Sequence, residues 1–372
     1  WLFRALLLGL PFLLLGTIEL GLRIAGSGYD TAFFREIKGG DGKRYLINSE
    51  TFSQRFFPEG LARWPTPFKI DAEKPAGVRR IFIFGESAAM GDPQPPYGAS
   101  RYLDVLLQER FPGEHFEVVN FGITAINSHV IRPIAQEAAH RQGDIWIIYM
   151  GNNEMVGPFG ASTVFGMRGA PPWLARCNLA LRKLRLGQWL IATLNRRARR
   201  TGDVTANASW GGMRMFLQNQ VAPSDLRKAS VYRNFEANLA DILDAGRDSG
   251  AAVILNTVAV NLNDCPPFAT LADSNSPAID DNEFSKLYDA ALAFAQATNH
   301  SEAAKLFERA ARLSPRRAEL EFRWGQSLLQ TGDFAGARRL LLQACDDDAL
   351  PFRADSQING IIRKQANERA AR

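Results

Sequence analysis

Cysteine is scarce in this chain. Three occur in 372 residues, Cys177, Cys265 and Cys345, far apart and without a Cys-x-x-Cys pair. That spacing argues against a thiolate metal centre, and no disulfide framework organises the fold. The odd count leaves at least one free thiol, and a single disulfide in an oxidising compartment stays open. Histidine is nearly as rare, with His115, His129, His140 and His300. A dominant charge is missing too: 44 basic against 39 acidic residues give a net charge of +5. With no zinc-finger spacing and no basic stripe interleaved with aromatics, nucleic acid is not an expected partner. No cofactor or metal is expected. Disorder is also excluded as a general description, because 46% of residues are hydrophobic and 22% charged, an ordinary globular balance. The length implies two or three structural units.

One long apolar run is present. Leu6 to Ile24 is broken only by Thr17, Glu19 and Arg23 among its polar side chains. Roughly 20 helical residues cross a bilayer core of about 30 Å, so residues 1–26 are expected to form a transmembrane anchor. Arg4 before the run favours a cytoplasmic N-terminus and an extracytoplasmic body. A cleaved signal peptide or a buried helix are the other readings; no convincing small-x-small cleavage site follows. The chain begins at Trp1, so residues are expected to precede it.

Residues 27–78 are irregular and rich in Gly and Pro, and read as a neck with short strands. A regular alternation follows. Arg79–Phe84, Phe116–Asn120, Ile145–Met150 and Ala252–Val258 are short apolar strands, the first three each leading to a glycine (Gly85, Gly122, Gly151). Between them, Arg101–Arg110, Val130–Gln142 and Tyr232–Ser249 carry helical periodicity. Strands alternating with helices predict a parallel sheet with helices on both faces, and nearly continuous apolar strands fit burial on both sides. This α/β domain is expected over 79–283.

Two inserts interrupt it. The first, 159–211, holds no Asp or Glu between Leu174 and Gly202 but eight Lys or Arg, with Trp189, Leu190, Ile191 and Leu194 among them. It reads either as a basic amphipathic helix for an anionic membrane or polymer, or as a solvated basic helix over the site. The second, 284–350, repeats itself. Ala303, Phe307 and Ala310 recur as Ala337, Leu341 and Ala344, and Ala291 as Gly325, at an offset of 34. Small residues where helices cross, at this period, resemble tetratricopeptide repeats, and a protein partner is the function such repeats imply. Two units are fewer than a free-standing solenoid needs, so docking on the main domain is expected. Residues 351–372 read as a terminal helix.

The polar residues of the α/β part collect at three strand ends: Gly85-Glu86-Ser87, Asn120-Phe121-Gly122 and Gly151-Asn152-Asn153-Glu154. Ligands of a parallel α/β sheet bind outside the carboxyl ends of its strands. A serine at a strand-to-helix turn presents its hydroxyl to backbone N–H groups, a glycine lets an oxygen approach the backbone, and an asparagine amide is a neutral donor for an oxyanion.

This set resembles the SGNH, or GDSL-type, hydrolase superfamily. Gly85-Glu86-Ser87 is similar to its first block with Glu for Asp, Gly122 to its second-block glycine, and Gly151-Asn152-Asn153-Glu154 to its Gly-x-Asn-Asp block, again with Glu for Asp. The repeat insert and the anchor look like a bacterial subgroup that joins this domain to tetratricopeptide repeats. The resemblance implies a flavodoxin-like three-layer α/β fold. It also implies Ser87 as nucleophile, with the Ser87 N–H, the Gly122 N–H and the Asn153 amide as oxyanion donors. The family's final Asp-x-x-His has no counterpart here: Pro112, Ile126 and Ala297 stand three residues before His115, His129 and His300, and Glu137 before His140 lies on a helix that leads in from the opposite edge. The Asp and His are expected beyond Arg372. The expected activity is cleavage of carboxylic (O-acyl) esters, with an extracellular glycan as one acyl carrier. Two readings compete, an O-acyltransferase on the same scaffold and a non-catalytic interaction protein.

Overall fold

The structure is a computed structural model that describes residues 2–58, 60–200, 210–272 and 281–370. It opens with helix α1 (Leu2–Ile24) and three short strands, β1 (Phe34–Lys38), β2 (Arg44–Asn48) and β3 (Lys69–Asp71). Strand β4 (Val78–Gly85) is followed by a one-turn helix α2 (Ser87–Met90), then α3 (Ala99–Arg110), β5 (His115–Asn120), α4 (Ser128–Ala138) and β6 (Ile145–Tyr149). After α5 (Pro172–Leu181) and α6 (Arg185–Arg200) come α7 (Arg227–Asp248) and β7 (Ala252–Leu255). Five helices complete the chain: α8 (Asp281–Gln296), α9 (His300–Leu313), α10 (Ala318–Gln330), α11 (Phe334–Asp346) and α12 (Ser356–Ala370).

The chain is a mixed α/β protein built on a parallel sheet. Its order is β5-β4-β6-β7, with every pair parallel, as a flavodoxin-like sheet begins. β4 lies inside because Ile81, Phe82, Ile83 and Phe84 are buried on both faces. On β6, Trp146 and Ile148 are fully buried on one face, while Ile145, Ile147 and Tyr149 on the other are half-buried. β7 is different: it ends the sheet among the described residues, and Ile254 is 49% exposed. The expected strand to Val258 stops at Leu255; beyond it the Val258 N–H and carbonyl pair with the Asn359 side chain (2.8 and 3.1 Å) rather than with a strand.

The expected neck is a docked layer. β1, β2 and β3 pair antiparallel, and Phe33, Phe34 and Phe68 set their rings 5.3–5.4 Å from that of Phe121, which also meets Phe82 at 4.9 Å. Such ring pairs contribute about 0.5–1.5 kcal/mol each beyond the area they bury. Glu137 of α4 accepts hydrogen bonds from the N–H groups of Phe33 (2.8 Å) and Phe34 (3.3 Å). Aromatic residues in an irregular sequence carry this packing, so periodicity did not reveal it.

α1 forms over the expected run, with Pro11 inside it. Among the described residues, however, no helix is long and apolar enough to cross a membrane. The part of α1 whose side chains are continuously described, Gly9 to Ile24, falls short of the roughly 20 residues a span takes and carries Thr17, Glu19 and Arg23.

The second insert forms the helices α8 to α11, packed as consecutive neighbours. Small residues stand where they cross. Ala291, Ala303 and Ala310 are fully buried, and a Cβ on Gly325 would come within 2.9 Å of Leu341. Asn299 and Asp333 cap α9 and α11 in the same way, each accepting a backbone N–H three residues on, from Glu302 (3.3 Å) and Gly336 (2.9 Å). The segment after α11 ties these helices to the sheet: Asp348 accepts from the N–H groups of Phe268 and Ala269, and Tyr232 donates to Asp355 (2.6 Å). In the first insert, residues 201–209 and the side chains of Arg199 and Arg200 lie outside the described residues.

Candidate active site

β4 delivers Ser87 through a turn that only glycine permits at its hinge. A Cβ on Gly85 would stand 2.1 Å from the Tyr149 carbonyl oxygen and 2.4 Å from Ala89 Cβ, so this residue lets β4 end between β6 and α2. Glu86 follows in an extended conformation (φ −105°, ψ −155°) and is buried. Ser87 opens α2 and is half-buried. Its carbonyl accepts the N–H groups of Gly91 and Asp92 (both 3.0 Å), which close the turn. Its hydroxyl has no hydrogen-bond partner among the described residues. α2 spans only Ser87–Met90, too short for a helix dipole to matter; what the turn offers is its N–H groups.

The Glu86 carboxylate joins this turn to the end of β6. It accepts the N–H groups of Gly151 (3.2 Å), Asn152 (2.8 Å) and Asn153 (3.2 Å). The residue before Ser87 therefore shapes the Gly151-Asn152-Asn153 turn directly. Asn153 is buried, and its side-chain Nδ2 has no hydrogen-bond partner. Buried polar groups are nearly always paired, so such a donor marks a place for a ligand or water. Asn127 Oδ1, at the start of α4, is likewise unpaired but is an acceptor, unsuited to an oxyanion.

Gly122 lies on the other side of α2. A Cβ there would meet Met90 N at 2.7 Å and Met90 Cα at 2.9 Å. Its N–H is already given to Asn120 Oδ1 (2.8 Å), while Asn120 Nδ2 donates to the Ala89 carbonyl (2.7 Å) and Ser100 Oγ (2.8 Å). Asn120 is thus a bracket from β5 to α2 and α3. In the sequence, the only signal for this role is an amide at the strand end near a glycine. The structure therefore sets the Asn153 and Gly122 backbones against the same turn as Ser87; of these two, the Gly122 N–H is engaged and the Asn153 Nδ2 is without a partner.

Burial dominates the electrostatics. Glu86 is pushed well above the usual carboxyl range by burial first and by the charge of Glu154 second, against the pull of its three N–H donors. Glu154 rises to about 7 through burial, although it accepts the N–H (2.7 Å) and hydroxyl (2.8 Å) of Ser128. It caps α4 from another part of the chain. In the sequence both residues stand out only as Glu where the resembled blocks carry Asp.

The four histidines are dispersed over the fold. His115 pairs with Val78 at the starting ends of β5 and β4, away from Ser87. His140 is exposed in the turn before β6, and His300 opens α9. His129, on α4, is buried with its ring 5.0 Å from Phe159. Burial, with the charges of Arg132 and Arg176, lowers it to about 3, far too weak a base for a serine hydroxyl. Among the described residues no group of three or more potential ligands could hold a metal ion.

No protein-family model matches the chain, and no curated protein does. Solved structures that resemble it include AlinE4, an SGNH-hydrolase family esterase, at 14% identity, covering 60% of this chain and 98% of that one with a TM-score of 0.23. Two mutants of AlinE4 resemble it at 15% identity, covering 49% of this chain and 77% of theirs, with the same TM-score of 0.23.

Proposed function

We propose that this protein is a serine ester hydrolase of the SGNH type, tethered to a membrane by α1, with its catalytic body on the extracytoplasmic side. The observation that carries the reading is the Asn153 amide: a buried donor without a partner, on a turn that Glu86 binds from the position next to Ser87. In this reading the Ser87 hydroxyl oxygen attacks the ester carbonyl and its proton passes to a base. Negative charge collects on the carbonyl oxygen, where the Asn153 Nδ2–H and the Ser87 N–H hold it. The alcohol leaves, and water releases the acid. The substrate is an acyl ester, with an O-acylated glycan as one such class. α8 to α11 are read as two tetratricopeptide-like units that bind a protein partner.

The base is the open requirement. None of the four histidines supplies it, and the Gly122 N–H is engaged by Asn120. These two observations favour a second reading, a non-catalytic interaction protein on the same scaffold. Incubation with p-nitrophenyl acetate followed by intact-mass analysis separates the two. The hydrolase reading expects a slow acetyl adduct on Ser87, absent from Ser87→Ala. An adduct that persists in that variant, or no adduct at all, supports the scaffold.

A further inference from the structure

The acid-free stretch has a definite position. α6 packs against the C-terminal end of α1, and two side chains lock the contact. Glu19 of α1 accepts the N–H groups of Arg185 (3.0 Å) and Leu186 (2.8 Å), the first two residues of α6. These N–H groups have no partner within their own helix, so Glu19 is a tertiary N-cap. One turn later, Gln188 pairs its amide with the backbone of Tyr29, accepting from the Tyr29 N–H (2.9 Å) and donating to the Tyr29 carbonyl (3.1 Å). Gly28 permits this approach: its φ is +80°, and a Cβ would stand 2.3 Å from Gln188 Oε1.

Held in this way, α6 leaves an apolar face uncovered. Leu186, Leu190, Ile191 and Leu194 recur at helical spacing, and Leu190 and Leu194 are 51% and 54% exposed. Trp189 is exposed as well, and so are Arg196 and Arg197 at the far end. α1 beside it also exposes Leu13, Leu14 and Leu20. A polyanion would need the arginines but not the leucines. Apolar side chains flanked by arginine, without a carboxylate between Leu174 and Gly202, match an anionic lipid surface.

We propose that α6, held to α1 by Glu19 and to the segment after α1 by Gln188, lies in the interface of an anionic membrane, with Leu190 and Leu194 in the acyl boundary and Arg196 and Arg197 at the headgroups. This rests on the membrane placement proposed above, and the test separates the two. Flotation of the full chain with vesicles of phosphatidylcholine alone reports on α1. The gain on adding a quarter of phosphatidylglycerol reports on α6, together with quenching of Trp189 by brominated phosphatidylglycerol, taken as the difference from Trp189→Phe.

The expected result is an anionic gain of about tenfold or more, in line with the attraction of a few basic residues near a charged surface. The gain is expected to vanish in the Arg196→Glu, Arg197→Glu double variant at unchanged helix content. Binding to phosphatidylcholine alone, without an anionic gain and without Trp189 quenching, overturns the α6 proposal and leaves the anchor. An anionic gain with Trp189 quenching but no binding to phosphatidylcholine alone supports α6 and overturns the anchor. Retention on a soluble polyanion such as alginate, with no Trp189 quenching by lipid, overturns the proposal in favour of a polymer.

Discussion

At the end of β5 the Asn120 amide is fully spent, its oxygen on the Gly122 N–H and its nitrogen on the Ala89 carbonyl and Ser100. At the end of β6 the reverse holds: the backbone N–H groups of Gly151, Asn152 and Asn153 are spent on Glu86, while the Asn153 Nδ2 is left without a partner. Both turns flank Ser87 and both carry glycine and asparagine. Leaving a buried donor unsatisfied costs about 1–3 kcal/mol, so the β6 turn keeps an unsatisfied donor where the β5 turn does not. Two similar strand ends thus differ, one bracing α2 and the other holding a buried side-chain donor without a partner.

The sharpest way to break this comparison is Asn153→Ala. It removes no hydrogen bond present in the structure and takes away an unsatisfied buried donor, so the midpoint of thermal unfolding should not fall. The rate of Ser87 acylation should fall about 10²–10³-fold, corresponding to about 2.7–4 kcal/mol for an oxyanion donor. A fall of less than tenfold would give the donor role to another group. Glu86→Ala strips three N–H groups of their acceptor at once. Urea denaturation should show a loss of about 3 kcal/mol, and a loss under about 1 kcal/mol would mean that Glu86 does not hold the β6 turn.

Gly122→Ala probes the β5 side, where the added methyl would press on the Met90 backbone. A loss of about 1–3 kcal/mol in urea denaturation is expected, with Asn120 still accepting the backbone N–H of the substituted residue. The smallest effect is a pH slope. Glu154 is raised to about 7 in the folded protein from 4.5. A carboxyl with a raised folded pKa binds its proton more tightly when folded. Its contribution is fully present below about pH 4.5 and is lost as pH rises through about 7. Stability measured by urea should therefore decline over that window, and Glu154→Gln should decline less. His129, lowered to about 3, acts in the opposite sense: its contribution is present above about pH 6.5 and is lost as pH falls toward 3. Equal slopes in the protein and in Glu154→Gln would remove Glu154 as the source.

Much of the sheet was legible before the structure. β4 lies where an unbroken apolar run ends in glycine, because a strand buried on both faces has no polar alternation to blur its limits; β5 and β6 were marked by apolar stretches before Gly122 and Gly151. Ser87, Gly122 and Asn153 were legible as residue types at those ends. The roles of Glu86 and Glu154 were not, since each acts on backbone groups far along the chain: Glu86 on residues 151–153, Glu154 on Ser128. The engagement of the Gly122 N–H was hidden for a simpler reason, because nothing in the letters says which way the Asn120 side chain turns.

The first insert shows the same division. Composition alone marked 174–202 as basic and free of acid, with Trp189, Leu190, Ile191 and Leu194 as the apolar residues among the arginines. That α6 starts on the end of α1 was decided by Glu19 reaching an N-terminus more than 160 residues away. For this protein the sequence by itself determined the elements, since local periodicity and apolar runs act over a few residues. Only the tertiary structure decided which donors near Ser87 are free and which helix meets which, because those depend on single hydrogen bonds between segments that folding brings together.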